Sequence, residues 1–464
     1  MASRTASPSG APAGPGPRRR PGAREAFVSR KLLAVRQQLA DPLSRNGYAL
    51  IANSGTTGVL GLVYWLLVAR LCPAVDVGRA AAVYAAMNLL AGFTALNFNG
   101  ALTRFIPQAG RQTRTLIARA YTVSAAASVA LAIPFLLTIS RWGQSYSELG
   151  SLAAGLVFTG CVVVWAIFTL QDSVLTGLRS AFWVLVENGI FGVVKIILLV
   201  LLVTVVPDHL GIYVSWMLPV IVAVPLVNVL IFGSLVPRHI LATHDRQPPT
   251  NRQIGRFLAG DYTGALCQLA TVSLVPVLVA ARIDVRSTAY FYMAWIIAAI
   301  VDMIGINMGM SLTVEGAFDA AALAVNCRKA LRRMASILLP CAALVALLAP
   351  WGLRLFGPAY AAQGAPVLEL LAIATIFRAA TELYLGALRA QSRTFLVALI
   401  QAVRCVLMLG LTLVLTGVIG TIGAGVAVVT CQVVMAMLIS VGLWRVLTGD
   451  REPHVPVSTE VSTR

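Results

Sequence analysis

Residues 96–105 read LNFNGALTRF, and residues 306–315 read INMGMSLTVE. Aligning them matches Asn97 with Asn307, Leu102 with Leu312 and Thr103 with Thr313, a spacing of about 210 residues. A second pair keeps that spacing: GLRS at 177–180 against ALRA at 387–390 matches Leu178 with Leu388 and Arg179 with Arg389. Leucine is common and each pair alone is weak, but one spacing at two distant places marks a chain built from two similar halves.

The halves are membrane-like. Hydrophobic residues make up 58% of the 464 residues and charged ones only 12%, with a mean hydropathy of +0.83, far from the balance of a soluble globular chain. Twelve apolar stretches of about twenty residues, long enough to cross a bilayer, lie between residues 48 and 446. The net charge of +18 is carried almost wholly by arginine, the lysines being Lys31, Lys195 and Lys329. These basic residues occupy short gaps between apolar runs and form no basic, aromatic-interleaved face, which argues against nucleic acid as a partner. The seven cysteines are scattered without a C-x-x-C pair, so they read as small apolar residues and not as a disulfide or metal framework.

Placement of arginine orients the chain. With a cytoplasmic N-terminus, about 27 basic residues fall on the inside and about 6 on the outside, the imbalance of the positive-inside rule. An even number of spans then puts both termini inside. Residues 1–26, rich in Pro, Gly, Ser and Arg, are expected to form a disordered basic cytoplasmic tail. Residues 27–46 are expected to form an amphipathic interfacial helix, with Phe27, Leu32, Val35 and Leu39 set against Arg30, Lys31 and Arg36. Residues 47–236 make the N-terminal six-helix lobe, 237–256 a cytoplasmic linker, 257–446 the C-terminal six-helix lobe and 447–464 a cytoplasmic tail. The expected fold is therefore an all-α polytopic membrane protein of twelve transmembrane helices. Because each half has an even number of spans, the lobes keep one orientation and relate by a pseudo-two-fold along the membrane normal, the plan of an alternating-access transporter.

Three stretches carry a family resemblance: residues 52–107, opening ANSGTTGVLGLVYWLL; residues 171–199, QDSVLTGLRSAFWVLVENGIFGVVKIILL; and residues 309–334, GMSLTVEGAFDAAALAVNCRKALRRM. They resemble bacterial oligosaccharide-lipid flippases, the polysaccharide-export branch of the multidrug, oligosaccharidyl-lipid and polysaccharide exporter superfamily. The resemblance covers about residues 45–446. It implies a two-lobed fold of twelve spans that moves an undecaprenyl-diphosphate-linked sugar from the cytoplasmic to the outer leaflet. It also implies a central cavity lined by the first, second, seventh and eighth spans, often cationic. The implied partners are the lipid-linked oligosaccharide, membrane lipids and other polysaccharide-assembly proteins, and the implied location is the bacterial cytoplasmic membrane.

Polar groups inside apolar spans mark candidate sites, since a charge at the helix centre costs about 2.5–3.5 kcal/mol on insertion scales. Asp261, Gly264, Gln268 and Thr271 recur at helical spacing on one face of the seventh span, and Asn53, Thr57 and Tyr64 on one face of the first. Candidate path residues are Asn53, Tyr64, Asn97, Arg104, Lys195, Gln268, Asn307 and Arg404, with Lys195 and Arg404 suited to a lipid diphosphate. Asp261 and Asp302 are candidates for a coupling proton or sodium ion; the plainer account of Asp261 is a helix cap beside the Gly260–Gly264 packing pair. Asp302 and Asn307 point about 140° apart, so both cannot face one cavity. Arg378 and Glu382, four residues apart, are expected to neutralise each other within a lobe. Glu187 and Lys195 stand about 12 Å apart along one helix and need partners elsewhere, while Glu382 and Arg404 offer another pair. For Arg104 a positive-inside anchor is the simpler role.

No resident cofactor, catalytic residue or metal site is expected. No P-loop, HExxH or GxSxG is present, the four histidines are scattered, and the expected outer loops carry little beyond Asp76, Glu148, Asp208 and Asp284. A membrane glycosyltransferase or polysaccharide polymerase is therefore disfavoured, because it needs acid–base groups where sugar is handled. A cation-coupled drug or small-solute exporter of the same fold stays open.

Overall fold

In hydrocarbon every backbone amide needs an internal partner, so an apolar chain of this kind resolves into helices. The computed structural model describes residues 42–205, 210–246, 248–250, 252–255, 262–318 and 323–448. The two tails expected at 1–26 and 447–464 (beyond Thr448), the interfacial helix up to residue 41 and Asp261 lie outside the described residues. The described residues contain helices and turns and no strand.

The long helices are α1 (Pro42–Leu71), α2 (Ala74–Phe105), α3 (Thr113–Leu137), α4 (Leu152–Gly177), α5 (Ala181–Leu202) and α6 (Leu210–Leu230). After a π-helical turn, Ile231–Leu235, comes the short α7 (Val236–Thr243), so residues expected in a linker continue as helix. The second half comprises α8 (Tyr262–Arg282), α9 (Val285–Phe318), α10 (Leu323–Arg354), α11 (Pro358–Ala390) and α12 (Thr394–Thr448). Ten described helices are long and apolar enough to cross a membrane, or eleven with the pair that makes up α2, which bends by 45° between Ala95 and Phe98. The count falls short of the expected twelve partly because α12 runs for 55 residues, and non-helical geometry at Ile419 and Gly420 breaks it. Unbroken, it would extend about 80 Å, far beyond a hydrocarbon core of about 30 Å.

Within the first half α1 packs on α5 and α2 on α4; within the second α8 packs on α12 and α9 on α11. The turns out of α4 and α11 are also built alike. Arg179 and Ser392 both have φ 58°, and the residue after each donates its N–H five residues back, Ser180 to Leu175 O at 2.8 Å and Arg393 to Leu388 O at 2.9 Å. These are the closing bonds of helix C-caps that use a left-handed residue. The turn thus aligns Arg179 with Ser392, not with Arg389, because α11 continues about one turn further before it ends.

The α9–α11 crossing is close because it is glycine-lined. A Cβ on Gly386 would stand 2.4 Å from Gly309 O, and one on Gly309 2.7 Å from Glu382 O. That approach lets the Thr313 hydroxyl, itself bonded to Gly309 O, reach Gly386 O at 3.2 Å.

Candidate functional site: the inter-lobe cleft and two buried charge clusters

The two halves meet where α2 packs against both α8 and α9. Trp65 and Tyr292 rings meet at 5.0 Å, a Cβ on Gly78 would collide with Val285 O at 1.8 Å, and Gly92 lies against Leu269. Nearby, the Tyr146 hydroxyl donates to Val277 O at 3.5 Å, and Arg70 donates to Leu355 O and, at 3.3 Å, to Arg354 O. Apart from the Gly92–Leu269 contact, which lies past the middle of α2, these contacts lie toward the end where α1 finishes and α2 begins. At the other end Arg104, Asn307 and Met310 are exposed, with Arg104 stacked over Phe105 at 5.8 Å. Asn53 is half-buried, its Oδ1 without a hydrogen bond. Asn97 stands on α2 at the bend, and its side chain lies outside the described set.

Inside the second half four charged side chains form a ladder. Arg378 Nη1 meets Asp302 Oδ2 at 2.6 Å, Arg378 Nε lies 3.8 Å from Glu382 Oε1, and Arg404 Nη1 meets that same oxygen at 2.9 Å. The expected Arg378–Glu382 pair is therefore the loosest rung, and the principal partner of Arg378 is Asp302 on α9. A helix sequence displays its own i,i+4 neighbours, whereas the stronger partner arrives through the α9–α11 crossing. Arg404 is wholly buried, with Nε and Nη2 lacking partners, so it stands in the lobe interior. Burying two cations with two carboxylates keeps the ladder formally neutral, and removing any one rung strands a charge.

Beside the ladder lies a cavity of about 550 Å³ between α8, α9, α11 and α12, lined by Gln268, Thr271, Trp295, Asp302, Arg378 and Gln432 among others. Of the stripe expected on the seventh span, Gln268 and Thr271 line this cavity, and Gln268 Oε1 accepts from Gln401 Nε2 at 2.8 Å. Asp302 faces this cavity, whereas Asn307 is exposed.

The first half holds its charges differently. Lys195 Nζ sits 3.8 Å from the Trp216 ring centre, 4.7 Å from Phe191 and 5.0 Å from Tyr64, an aromatic cage that supplies cation–π attraction. The Tyr64 hydroxyl lies 2.9 Å from Ser215 Oγ and donates to Ile212 O at 3.2 Å. Lys195 and Tyr64 are thus buried together inside the lobe. Glu187 is buried with both carboxyl oxygens lacking a hydrogen bond. At the next position, Asn188 Nδ2 donates to both oxygens of Asp172, at 3.1 and 3.2 Å. A second, apolar cavity of about 800 Å³ opens between α2, α4 and α6, around Tyr84, Phe158 and Trp216.

Asp172, Trp295 and Gln432 are among the residues of these clusters that escape the sequence reading. Asp172 stands about 210 residues before Glu382, so the repeat spacing already singles it out. Both occupy the helix crossing of their half, where Ser173 donates to Asn99 Oδ1 at 2.9 Å and Gly309 abuts Glu382. Trp295 and Gln432 carry no such signal, since an aromatic or an amide in an apolar span has no distinguishing spacing.

Residues 43–251 match the family model described as polysaccharide biosynthesis protein. No curated protein matches the sequence significantly. Among solved structures the fold is similar to the lipid II flippase MurJ in an inward closed conformation, with TM-score 0.65 at 13% identity, covering 86% of this chain and 90% of that one. It is also similar to an inward-facing multidrug resistance MATE family transporter of the MOP superfamily, with TM-score 0.64 at 14% identity over 87% of this chain and 100% of that one. A MOP superfamily transporter from Pyrococcus furiosus, described as having a binding pocket of reversed polarity, gives TM-score 0.56 at 13% identity over 88% and 97%. The polysaccharide-biosynthesis match thus covers residues 43–251, while nearly the whole chain shares the fold of solved MOP superfamily structures, and the ten long apolar helices among the described residues fit a multi-pass membrane protein.

Proposed function

We propose that the protein is a flippase that carries a polyprenyl-diphosphate-linked oligosaccharide from the inner to the outer leaflet of the bacterial cytoplasmic membrane by alternating access. The observation that carries the substrate class is the match of residues 43–251 to the polysaccharide biosynthesis family. Counting the broken α12 as two spans and α2 as one brings the chain to twelve. The repeated pairings α2–α4 with α9–α11 and α1–α5 with α8–α12 support two lobes related by a pseudo-two-fold axis. Arginine placement puts both termini and the open end of the cleft in the cytoplasm, where the lipid-linked glycan is made. The path then enters past Asn53, Asn97, Arg104 and Asn307, while Lys195 and Arg404, buried within their lobes, support it from behind. Other polysaccharide-assembly proteins are proposed partners.

Deleting the gene and following lipid-linked oligosaccharides is the decisive experiment. Accumulation of one glycan in the cytoplasmic leaflet is expected, and an unchanged pool would overturn the reading. A cation-coupled drug exporter is the second reading, favoured by the likeness to a multidrug transporter. It predicts ion-driven efflux of cationic dyes from liposomes with no lipid-linked sugar moved. A coupling proton or sodium ion at Asp302 would have to compete with the 2.6 Å contact from Arg378.

A further inference from the structure

The cavity beside the charge ladder has a chemistry of its own. Its volume of about 550 Å³ lies within the range of about 300–1,000 Å³ typical of small-molecule sites. On α9, Trp295, Ala298 and Asp302 fall at i, i+3 and i+7, one above another on a single face, and the alanine between them leaves the space. Phe291 backs the Trp295 ring, their centroids 5.7 Å apart.

Hydrogen-bonding groups of both kinds converge on this space. Gln432 is 2% exposed and its Oε1 has no partner, an expensive arrangement for an amide unless something fills the cavity. Thr271 and Thr375 spend their hydroxyl protons on Cys267 O and Ala372 O, each at 2.7 Å, which leaves their oxygens as acceptors. Arg378 and Asp302 already neutralise one another at 2.6 Å. The site therefore offers no net charge to a cation or to a diphosphate. Paired donors and acceptors beside a flat aromatic wall suit a ligand whose groups both donate and accept and whose carbon faces are apolar, which describes a pyranose ring. Leu269 lines the cavity and also touches Gly92 of α2, and Met303 of its lining is 48% exposed. The cavity thus borders the lobe seam and the cleft.

We propose that this cavity is a glycan subsite, taking an uncharged sugar unit of the lipid-linked substrate when the substrate enters the cleft; the proposal rests on the flippase reading. The test uses the full chain in nanodiscs and two probes, the lipid-linked oligosaccharide pool extracted from cells lacking the gene, and undecaprenyl diphosphate without sugar. Gln432→Met keeps volume and removes the amide, Trp295→Ala removes the wall, and Trp295→Phe restores an aromatic face. The preference for the glycan-bearing lipid over the bare one is expected to fall about tenfold in Gln432→Met and Trp295→Ala, as for loss of one buried hydrogen bond or stacking contact. It is expected to recover in Trp295→Phe. A preference equal to wild type in Gln432→Met, in protein that elutes and melts like wild type, overturns the subsite and leaves the flippase reading standing. A wild-type protein that neither binds nor translocates the extracted pool overturns the flippase reading, and the subsite with it.

Discussion

At the residue scale, the second half of the molecule holds its buried charges in pairs and the first half holds them apart. Arg404 and Glu382 touch at 2.9 Å in a wholly buried setting. Replacing Arg404 with Met leaves Glu382 with only the looser Arg378 contact, and a loss of about 3–5 kcal/mol is expected. The double variant Arg404→Met with Glu382→Gln should regain most of that. A thermal-unfolding double-mutant cycle in detergent measures the coupling; additive effects would show that the pair contributes no specific interaction. Outside the spans, Asp284 caps α9 by accepting from the Ser287 N–H at 3.0 Å. Partial burial opposes its charge, but hydrogen bonds from Ser287 and neighbouring amides outweigh it and hold the carboxyl below its usual range. A depressed carboxyl contributes stability above its unfolded value and loses it as the pH falls through the folded one. Wild type and Asp284→Asn should therefore differ by the same amount from about pH 7 to about pH 5, and converge only below about pH 4. Convergence already at pH 6 would refute this assignment.

At the element scale, close helix approach decides which charges meet. The α9–α11 crossing depends on Gly309 and Gly386, where any Cβ would press on backbone. Gly386→Val should separate the helices and loosen the Asp302–Arg378 contact together with the crossing. A fall in stability of about 1–3 kcal/mol is expected from overpacking, read as a lower unfolding midpoint; an unchanged midpoint would show that the crossing is pliable. The motifs LNFNGALTRF and INMGMSLTVE, from which a repeat was expected, each lie on a helix that makes a tight glycine-lined crossing, α2 with α4 at Gly177 and α9 with α11 at Gly386. The alignment of Arg179 with Arg389 was less faithful, since the turn geometry pairs Arg179 with Ser392. Sequence matching sees residue types, whereas a helix cap is set by backbone dihedrals that several residue types tolerate.

At the scale of the whole molecule, the lobes touch toward one end and part at the other. Gly78 stands at that contact, its missing Cβ making room for Val285 O. Gly78→Val should force the lobes apart there without disturbing either lobe's core, and so favour the oppositely opened state. Ala82 lies one turn further on the same face of α2 and is 1% exposed. In a background without the native cysteines, labelling of Ala82→Cys from outside by a membrane-impermeant maleimide should rise at least about tenfold when Gly78→Val is added. Equal labelling would mean that this contact does not gate the cleft.

The sequence by itself determined that the chain is a helical membrane protein, that like motifs recur about 210 residues apart, and which polar residues its apolar runs contain. These follow from local quantities: the length of apolar runs, the spacing of like motifs, and the cost of a charge in hydrocarbon. Only the tertiary structure decided which charges neutralise one another, that Lys195 is held by aromatic rings, and that Trp295, Gln432 and Asp302 face one cavity. Those outcomes depend on which helix faces meet, and a helix face meets its neighbour through residues a hundred or more positions away, which no local period records.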